Sequence, residues 1–284
     1  MGLLDGLGLS GLKNLEKIKI FEEPAKEKAV QEAAKAAPVI KETDFLFDKS
    51  YECPVCSSKI KARTLRAGKA RLIRSDLDLR PVYENIEPLK YDPVVCPQCG
   101  YSALARYFPT VLSTQIKEIK DNICQSFQAN MQDQETYTHE EALYRYKLCL
   151  ANAVVKKAKA SEKAYICLKA GWLLRSWQEN LKDSGEAEDS PKPAELKEQE
   201  REFLKNALDG FLAARQAEGY PMCGMDESTV DYLCAVLSME FDQLDTASRI
   251  ISSIIASPGV NSRMKDRARD VKEMILAKMK EKNA

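Results

Sequence analysis

Two short motifs, each holding a pair of cysteines, carry the clearest chemistry in this sequence. They are Cys53-Pro54-Val55-Cys56 and Cys96-Pro97-Gln98-Cys99, the second followed by Gly100. Each Cys-x-x-Cys turn brings two sulfurs to one point, and two such turns supply the four thiolates of a closed tetrahedral site. The sequence therefore predicts a structural metal site with Cys53, Cys56, Cys96 and Cys99 as ligands and one Zn²⁺ per chain as the preferred occupant.

Iron and redox chemistry are the alternatives to zinc at these cysteines. A rubredoxin-like iron site uses similar Cys-x-x-Cys turns, here called knuckles, so iron is the main alternative metal. We favour zinc over it. A redox dithiol is disfavoured, because a thioredoxin-type motif is a single pair beside a βαβ pattern. The gap from Cys56 to Cys96 is longer than in an ordinary zinc ribbon, so we expect the intervening segment to fold onto the site.

No set of catalytic residues is apparent in the sequence, and we expect the protein not to be an enzyme. His139 is the single histidine, and we expect it at the surface in the first turn of a helix. Asp76 and Asp78 could form a carboxylate pair for acid–base work or for a second metal. A simpler explanation is that they are charges at the rim of a strand, paired with basic neighbours. These neighbours are Arg71, Arg74 and Arg80.

The remaining cysteines and the tryptophans have simpler explanations. Cysteines in helical patterns are expected to be small buried hydrophobic residues. These are Cys124, Cys149, Cys167 and Cys234. Cys223 lies between helices and receives no role. Trp172 is expected in the core and Trp177 as an anchor at the surface.

The cysteine motifs need short strands to hold them, and the flanking sequence supplies strand patterns. Apolar side chains alternate over 45–51, which predicts a strand entering the first motif. Period-two patterns over 59–66 and 69–74 predict a β-hairpin. The stretch 89–95 predicts a further strand that leads into the second motif.

The predicted hairpin 59–74 carries a run of basic residues with no acidic residue among them. They are Lys59, Lys61, Arg63, Arg66, Lys69, Arg71 and Arg74. Such a face can bind phosphates, which makes nucleic-acid binding an alternative function. We favour a solvated hairpin edge, where lysines prevent edge-to-edge pairing of strands.

From residue 109 onward the sequence changes to long helical patterns. Thr138, with Glu141 three residues later, forms a capping box that marks one helix start. The helices pair off near the ~34-residue length of a tetratricopeptide repeat. We predict a degenerate repeat array, with a plain bundle as the alternative. Because repeat arrays bind partners on their concave face, we expect a protein partner there. The predicted helices span 111–131, 138–157, 161–181, 194–218, 228–241, 245–256 and 261–282.

The N-terminal region differs from the rest of the chain. Leucines among glycines and lysines over 3–20 favour equally a short amphipathic helix and a mobile tail. Such a helix would dock on the protein, on a partner or, through residues 1–20, weakly on a membrane surface. The Ala-, Lys- and Glu-rich stretch 22–41 predicts a linker. We expect no transmembrane segment, because no run reaches the roughly 18 apolar residues that a bilayer span needs. The balanced formal charge implies no overall attraction to nucleic acid or membrane. Four cysteines are assigned to a metal site and most others to helices, and the N-terminus lacks the pattern of a secretory signal, so we expect a reducing, cytoplasmic location.

An ordered series of further motifs accompanies the cysteines. It comprises Leu46-Phe47-Asp48-Lys49, Arg74-Ser75-Asp76-Leu77-Asp78, Pro81-Val82-Tyr83, Glu87-Pro88-Leu89-Lys90-Tyr91-Asp92, Tyr101, Phe108 and Ala170-Gly171-Trp172-Leu173-Leu174-Arg175. With the cysteines, this series resembles a bacterial family known as domain of unknown function 2225. The resemblance implies a cytoplasmic protein with a zinc-ribbon-like head and a repeat-like helical body, and it implies no activity. Ser57 and Glu87 depart from the glycine and asparagine common in the family, and neither is a ligand.

These observations predict an α+β, mostly α fold in three parts. Residues 1–43 form the N-terminal segment and linker, 44–108 a small β-rich four-cysteine zinc ribbon, and 109–284 an all-α, tetratricopeptide-like domain. The expected function is that of a non-enzymatic protein-interaction adaptor with a structural zinc ion. The alternatives are a nucleic-acid-binding ribbon and a rubredoxin-like iron or redox site.

Overall fold

The computed structural model describes residues 40–128, 134–183 and 191–283. Lys41–Ala284 form one compact unit. The amphipathic segment predicted at 1–20 lies outside the described residues, as does most of the predicted linker. The division of the remainder into domains at residue 108 stays a prediction.

Three small antiparallel sheets of two strands each make up the N-terminal part of this unit. In the first, β1 (Leu46–Glu52) pairs with β2 (Lys59–Leu65). In the second, β3 (Leu72–Ser75) pairs with β4 (Pro81–Tyr83). In the third, β5 (Pro93–Val95) pairs with β6 (Ser102–Leu104). Single turns of 3₁₀-helix at Glu42–Phe45 and Pro88–Tyr91 precede the first and third sheets.

The prediction of a β-hairpin over 59–74 is wrong. Its first strand, β2, pairs with β1 across the first cysteine motif, with Tyr51 opposite Ile60. Its second strand, β3, pairs with β4. The period-two pattern identified the strands correctly but not their partners, because the cysteine knuckle is itself the turn of the β1–β2 hairpin.

Helices make up the rest of the described chain. The α-helices are α1 (Ser113–Ile119), which continues as a π-helical turn at Lys120–Cys124, α2 (His139–Val155), α3 (Ala160–Asp183), α4 (Pro191–Ala217), α5 (Glu227–Glu240), α6 (Leu244–Ala256) and α7 (Ser262–Asn283). The predicted helices from residue 138 onward are confirmed, with ends shifted by a few residues. The Thr138 hydroxyl accepts the Glu141 N–H at 3.1 Å, as the capping box predicted. The helix predicted at 111–131 is shorter. The fold class, α+β and mostly helical, is confirmed.

Two glycines allow α3 and α4 to pack closely. A Cβ atom added at Gly171 of α3 would lie 2.7 Å from a methyl carbon of Leu204 on α4. One added at Gly210 of α4 would lie 2.8 Å from the Cβ of Ala164 on α3. Small residues therefore sit where these two helices meet, as the repeat hypothesis expects. The repeat architecture itself stays a prediction.

The sheets and the helices share a hydrophobic core. Leu89 and Leu104, from the β-rich part, belong to the same buried cluster as the helical side chains. The Tyr146 hydroxyl of α2 donates to the Leu89 carbonyl at 3.0 Å. The Asn152 amide, also on α2, donates to the Gly100 carbonyl at 3.1 Å. The second cysteine knuckle is thus fastened directly to a helix. Across the described ranges, no helix is both long and apolar enough to cross a bilayer.

Candidate metal centre

The structure brings the four cysteines of the two motifs together. The sulfurs of Cys53, Cys56, Cys96 and Cys99 all lie within 4.8 Å of one another. Across the two knuckles, Cys53 Sγ is 3.7 Å from Cys99 Sγ, and Cys56 Sγ is 3.6 Å from Cys96 Sγ. A tetrahedral ion with Zn–S bonds of about 2.3 Å sets its sulfurs about 3.8 Å apart. The thiol spacing therefore fits a four-coordinate metal ion.

The two knuckles are built in the same way. The amide of Ser57 donates to the Cys53 carbonyl at 2.8 Å, and the amide of Gly100 donates to the Cys96 carbonyl at 2.9 Å. In each knuckle the residue after the second cysteine has a positive φ, 60° at Ser57 and 74° at Gly100. Glycine suits that conformation, and a serine must tolerate it at some cost. Each turn therefore brings its own two sulfurs together, and the packing of the two turns against each other groups all four.

Each knuckle joins two strands, which fixes the direction of its sulfurs. Cys53 follows β1, and Cys96 follows β5. Cys53 and Cys96 are fully buried, and Cys99 is nearly so, whereas Cys56 is exposed. Four protein ligands complete a tetrahedral shell and leave no open position for a substrate.

Without a metal, four adjacent thiols cannot all carry a charge. A hydrogen bond with Cys96 is the main cause that raises the pKa of Cys53, to about 12. Hydrogen bonding with Cys53 raises the pKa of Cys99 and lowers that of Cys96. Among these three thiols, the negative charge is therefore favoured on Cys96. A divalent ion would have to displace the remaining protons as it binds.

A fifth cysteine, Cys124, packs against the cluster. It lies in the π-helical turn after α1, is half-buried and is hydrogen bonded to Cys99. Its sequence context predicted an ordinary helical cysteine, and no spacing signal links it to the motifs. Cys149, Cys167 and Cys234 are buried in helices as predicted. The thiol of Cys223 donates to the Ser161 carbonyl at 3.2 Å.

Asp76 and Asp78 are not simply rim charges. Asp76 pairs with Arg80 at 2.6 Å and with Arg74, as expected. Asp78, however, is only 2% exposed and Arg80 only 1%. The predicted rim location is therefore wrong for Asp78, because Trp172 and Arg175 of α3 bind its carboxylate; the neighbouring Leu77 stays 39% exposed.

Asp78 is held by groups from α3. Arg175 Nη1 lies 2.9 Å from Asp78 Oδ2, and the Trp172 indole N–H donates to the same oxygen at 2.9 Å. Arg175 also pairs with Glu200 of α4 at 2.7 Å. This network joins the β3–β4 segment to two helices. Its carboxylates are bound by arginines, so the arrangement suits a structural clamp better than acid–base chemistry.

His139 is more enclosed than its sequence context predicted. Its ring stacks on Trp177 at a centroid distance of 5.9 Å and an interplanar angle of 13°. Ser176 Oγ lies 3.5 Å from His139 Nε2. Burial lowers the pKa of His139 to about 4, so the ring is neutral at pH 7. Trp172 is buried as predicted, and Trp177 is half-buried.

Two of the three basic residues of β2 lie opposite acidic residues of β1, and the third, Lys61, lies opposite Ser50. Lys59 lies opposite Glu52, and Arg63 lies opposite Asp48. Arg63 Nη1 forms an ion pair with Asp48 Oδ1 at 2.8 Å. These cross-strand pairs neutralise part of the run that suggested a phosphate-binding face.

A comparison with protein families identifies the family of this chain. Residues 46–275 match the family described as an uncharacterized protein conserved in bacteria, domain of unknown function 2225 (DUF2225). The chain belongs to this family. The DUF2225 match covers both cysteine knuckles and most of the helical part, so the resemblance noted in the sequence is confirmed.

A curated relative adds similarity but no function. An uncharacterized protein of Borreliella burgdorferi is 33% identical over 91 residues, which is 29% of this chain and 32% of the relative. The matched stretch thus spans about a third of the relative's length. No solved structure matches the chain.

Proposed function

We propose that this DUF2225 protein is a cytoplasmic, non-enzymatic adaptor whose four cysteines hold one structural Zn²⁺ ion. The closed four-thiol cluster is the observation that carries the proposal. Catalytic zinc sites keep one position for water or substrate, whereas structural sites are filled by protein ligands. A shell of four cysteines, three of them buried, belongs to the second kind.

The metal would stabilise the β-rich part. Strands of three to seven residues in two-stranded sheets have little core of their own. Structural zinc binding contributes about 10–16 kcal/mol in small modules, enough to decide whether they fold. Because the second knuckle is bonded to α2 through Gly100 and Asn152, the metal would also brace the helical surface.

The helical part is the proposed site of partner binding. It presents long helices packed side by side, and arrays of this kind bind proteins along a shared face. The cross-strand pairing of the basic residues of β2 with Asp48 and Glu52 makes nucleic acid the weaker candidate.

Metal analysis of natively purified protein, followed by crosslinking in cells, tests the proposal. We expect one zinc per chain and no visible absorbance, with partner crosslinks that map to α2–α7. Iron with visible absorbance would replace the zinc assignment by an electron-transfer site. Loss of a specific partner in a Cys96→Ser variant would show that the metal braces the binding surface. Zinc without any partner crosslink would contradict the adaptor role.

A further inference from the structure

A cleft of about 310 Å³ opens between the β-rich part and α3. None of the four metal-site cysteines lines it, and it shares Trp172 with the clamp around Asp78. The β-rich part and the loop before β5 supply most of its wall, and one face of α3 supplies the rest. Its lining comprises Thr64, Leu65, Pro81, Tyr83, Glu87, Pro88, Leu89, Tyr91, Asp92, Ala105, Tyr165, Lys169 and Trp172.

Aromatic rings and a few charged groups converge on this cleft. Tyr165, Lys169 and Trp172 recur at i, i+4 and i+7, so they share one face of α3. Tyr83 and Tyr91, from the β-rich part, line the same cleft. An apolar cleft with a few polar groups at fixed positions is the usual form of a ligand site.

The cleft already holds one cation of its own chain, the ammonium group of Lys169. Lys169 pairs with Asp92, and its ammonium lies 4.7 Å from the centre of the Tyr165 ring. A carboxylate and an aromatic face therefore hold one positive charge together. Lys169 is paired with Asp92 and not with Glu87, the other carboxylate of the cleft.

Glu87 is a carboxylate of the cleft for which the described residues provide no direct ion pair. Its Oε1 accepts the Leu89 N–H at 3.1 Å, and its side chain is hydrogen bonded to Ser176. Among the described residues, no lysine, arginine or histidine lies within ion-pair distance of it. Burial is the main cause that raises its pKa, and the hydrogen bonds with Ser176 and Leu89 and the more distant charges of Arg80 and Lys90 offset only part of that rise. A cationic ligand would supply the close ion pair that Glu87 lacks.

We propose that this cleft binds an arginine side chain of a partner polypeptide, with the guanidinium on Glu87 and its plane against the aromatic wall. Arginine suits the cleft better than lysine, because its planar group stacks on rings while it donates two hydrogen bonds to one carboxylate. The inference rests on the proposed adaptor function and names the chemistry of the partner.

The two tryptophans allow a direct test. Trp172 lines the cleft and Trp177 does not, and the chain has no other tryptophan. In protein labelled with ¹⁹F-tryptophan, we expect N-acetyl-arginine amide to shift the Trp172 signal saturably and to leave Trp177 unmoved. The Trp177→Phe variant assigns the two signals. N-acetyl-glutamate amide should shift neither.

Matched glutamate variants locate the binding charge. Glu87→Gln keeps the oxygen that accepts the Leu89 N–H but removes the charge, and we expect at least tenfold weaker binding of the arginine amide. Glu84→Gln removes a nearby charge that is paired with Arg71 at 3.6 Å, and binding should not change. Equal binding by Glu87→Gln and the parent protein would overturn the proposal, as would an equal response to tetramethylammonium. Since the probe is a small molecule, these results are independent of whether a partner is captured in cells.

Discussion

At the scale of single residues, the strongest expectation concerns one metal ligand. Cys96 is fully buried, and its loss would leave three thiols around the ion. We expect Cys96→Ser to lower bound zinc well below one per chain and to expose the β-rich part to proteolysis, because the proposed zinc ion would supply a large part of its folding free energy. Elemental analysis and limited proteolysis measure both effects.

Cys124 provides the matched control for this change. It touches the cluster but lies outside the set of four sulfurs within 4.8 Å. Cys124→Ser should therefore keep one zinc per chain and the protease resistance of the parent. The four-cysteine assignment would be wrong if Cys96→Ser kept its zinc, or if Cys124→Ser lost it.

His139 gives a prediction about pH. Burial and the nearby Lys90 charge lower its pKa to about 4, and Glu42 opposes them weakly. Because the folded pKa is below the unfolded value of about 6.5, the unfolded state binds more protons between these values. The contribution of His139 to stability is complete above pH 6.5 and is lost as the pH falls towards 4.

The single histidine makes this measurement direct. One ¹H NMR titration of its ring follows one residue, and we expect a midpoint near pH 4. In His139→Gln, the fall in unfolding free energy between pH 6.5 and 4 should be smaller than in the parent. A midpoint near 6.5 would show that the ring is open to solvent and that its stacking on Trp177 does not persist.

At the scale of elements, the sequence predicted strands and helices better than it predicted their neighbours. The helix starting at Thr138 followed from its capping box, and the strand at 45–51 from its alternation. The pairing of β2 with β1 did not follow, because a period of two identifies a strand without naming its partner. The burial of Asp78 was missed for a related reason. Its partner Arg175 lies far along the chain, and no local pattern connects them.

The Asp78–Arg175 contact is expected to hold the β3–β4 segment against α3. Asp78→Asn would leave part of the Arg175 charge unbalanced in a buried site. Removing one partner of a buried pair typically costs about 3–5 kcal/mol, and we expect a loss of that order in chemical denaturation. The exposed pair of Arg63 with Asp48 is the control, and Asp48→Asn should cost less than ~1 kcal/mol. Similar losses in the two variants would contradict the structural role of the clamp.

At the scale of the whole molecule, the two cysteine motifs correctly predicted that their four sulfurs come together. This was possible because the spacing within each knuckle is a local property of the sequence. The cleft beside Glu87 was not predictable in the same way. Its walls come from five separate stretches of chain, and only the packing of α3 against the β-rich part brings them together. The shared core that produces the cleft also couples the metal centre to the helices.

That coupling leads to an expectation for metal removal. Leu89 and Leu104 are part of the helical core, and the Gly100 carbonyl next to Cys99 binds Asn152 of α2. Unfolding the knuckles would therefore remove contacts that the helices need. We expect a chelator to lower the melting temperature followed by helical circular dichroism and by tryptophan fluorescence to the same extent, in one transition. A helical transition that keeps its midpoint while a separate one appears would show two independently stable domains, as the sequence-based division at residue 108 implies.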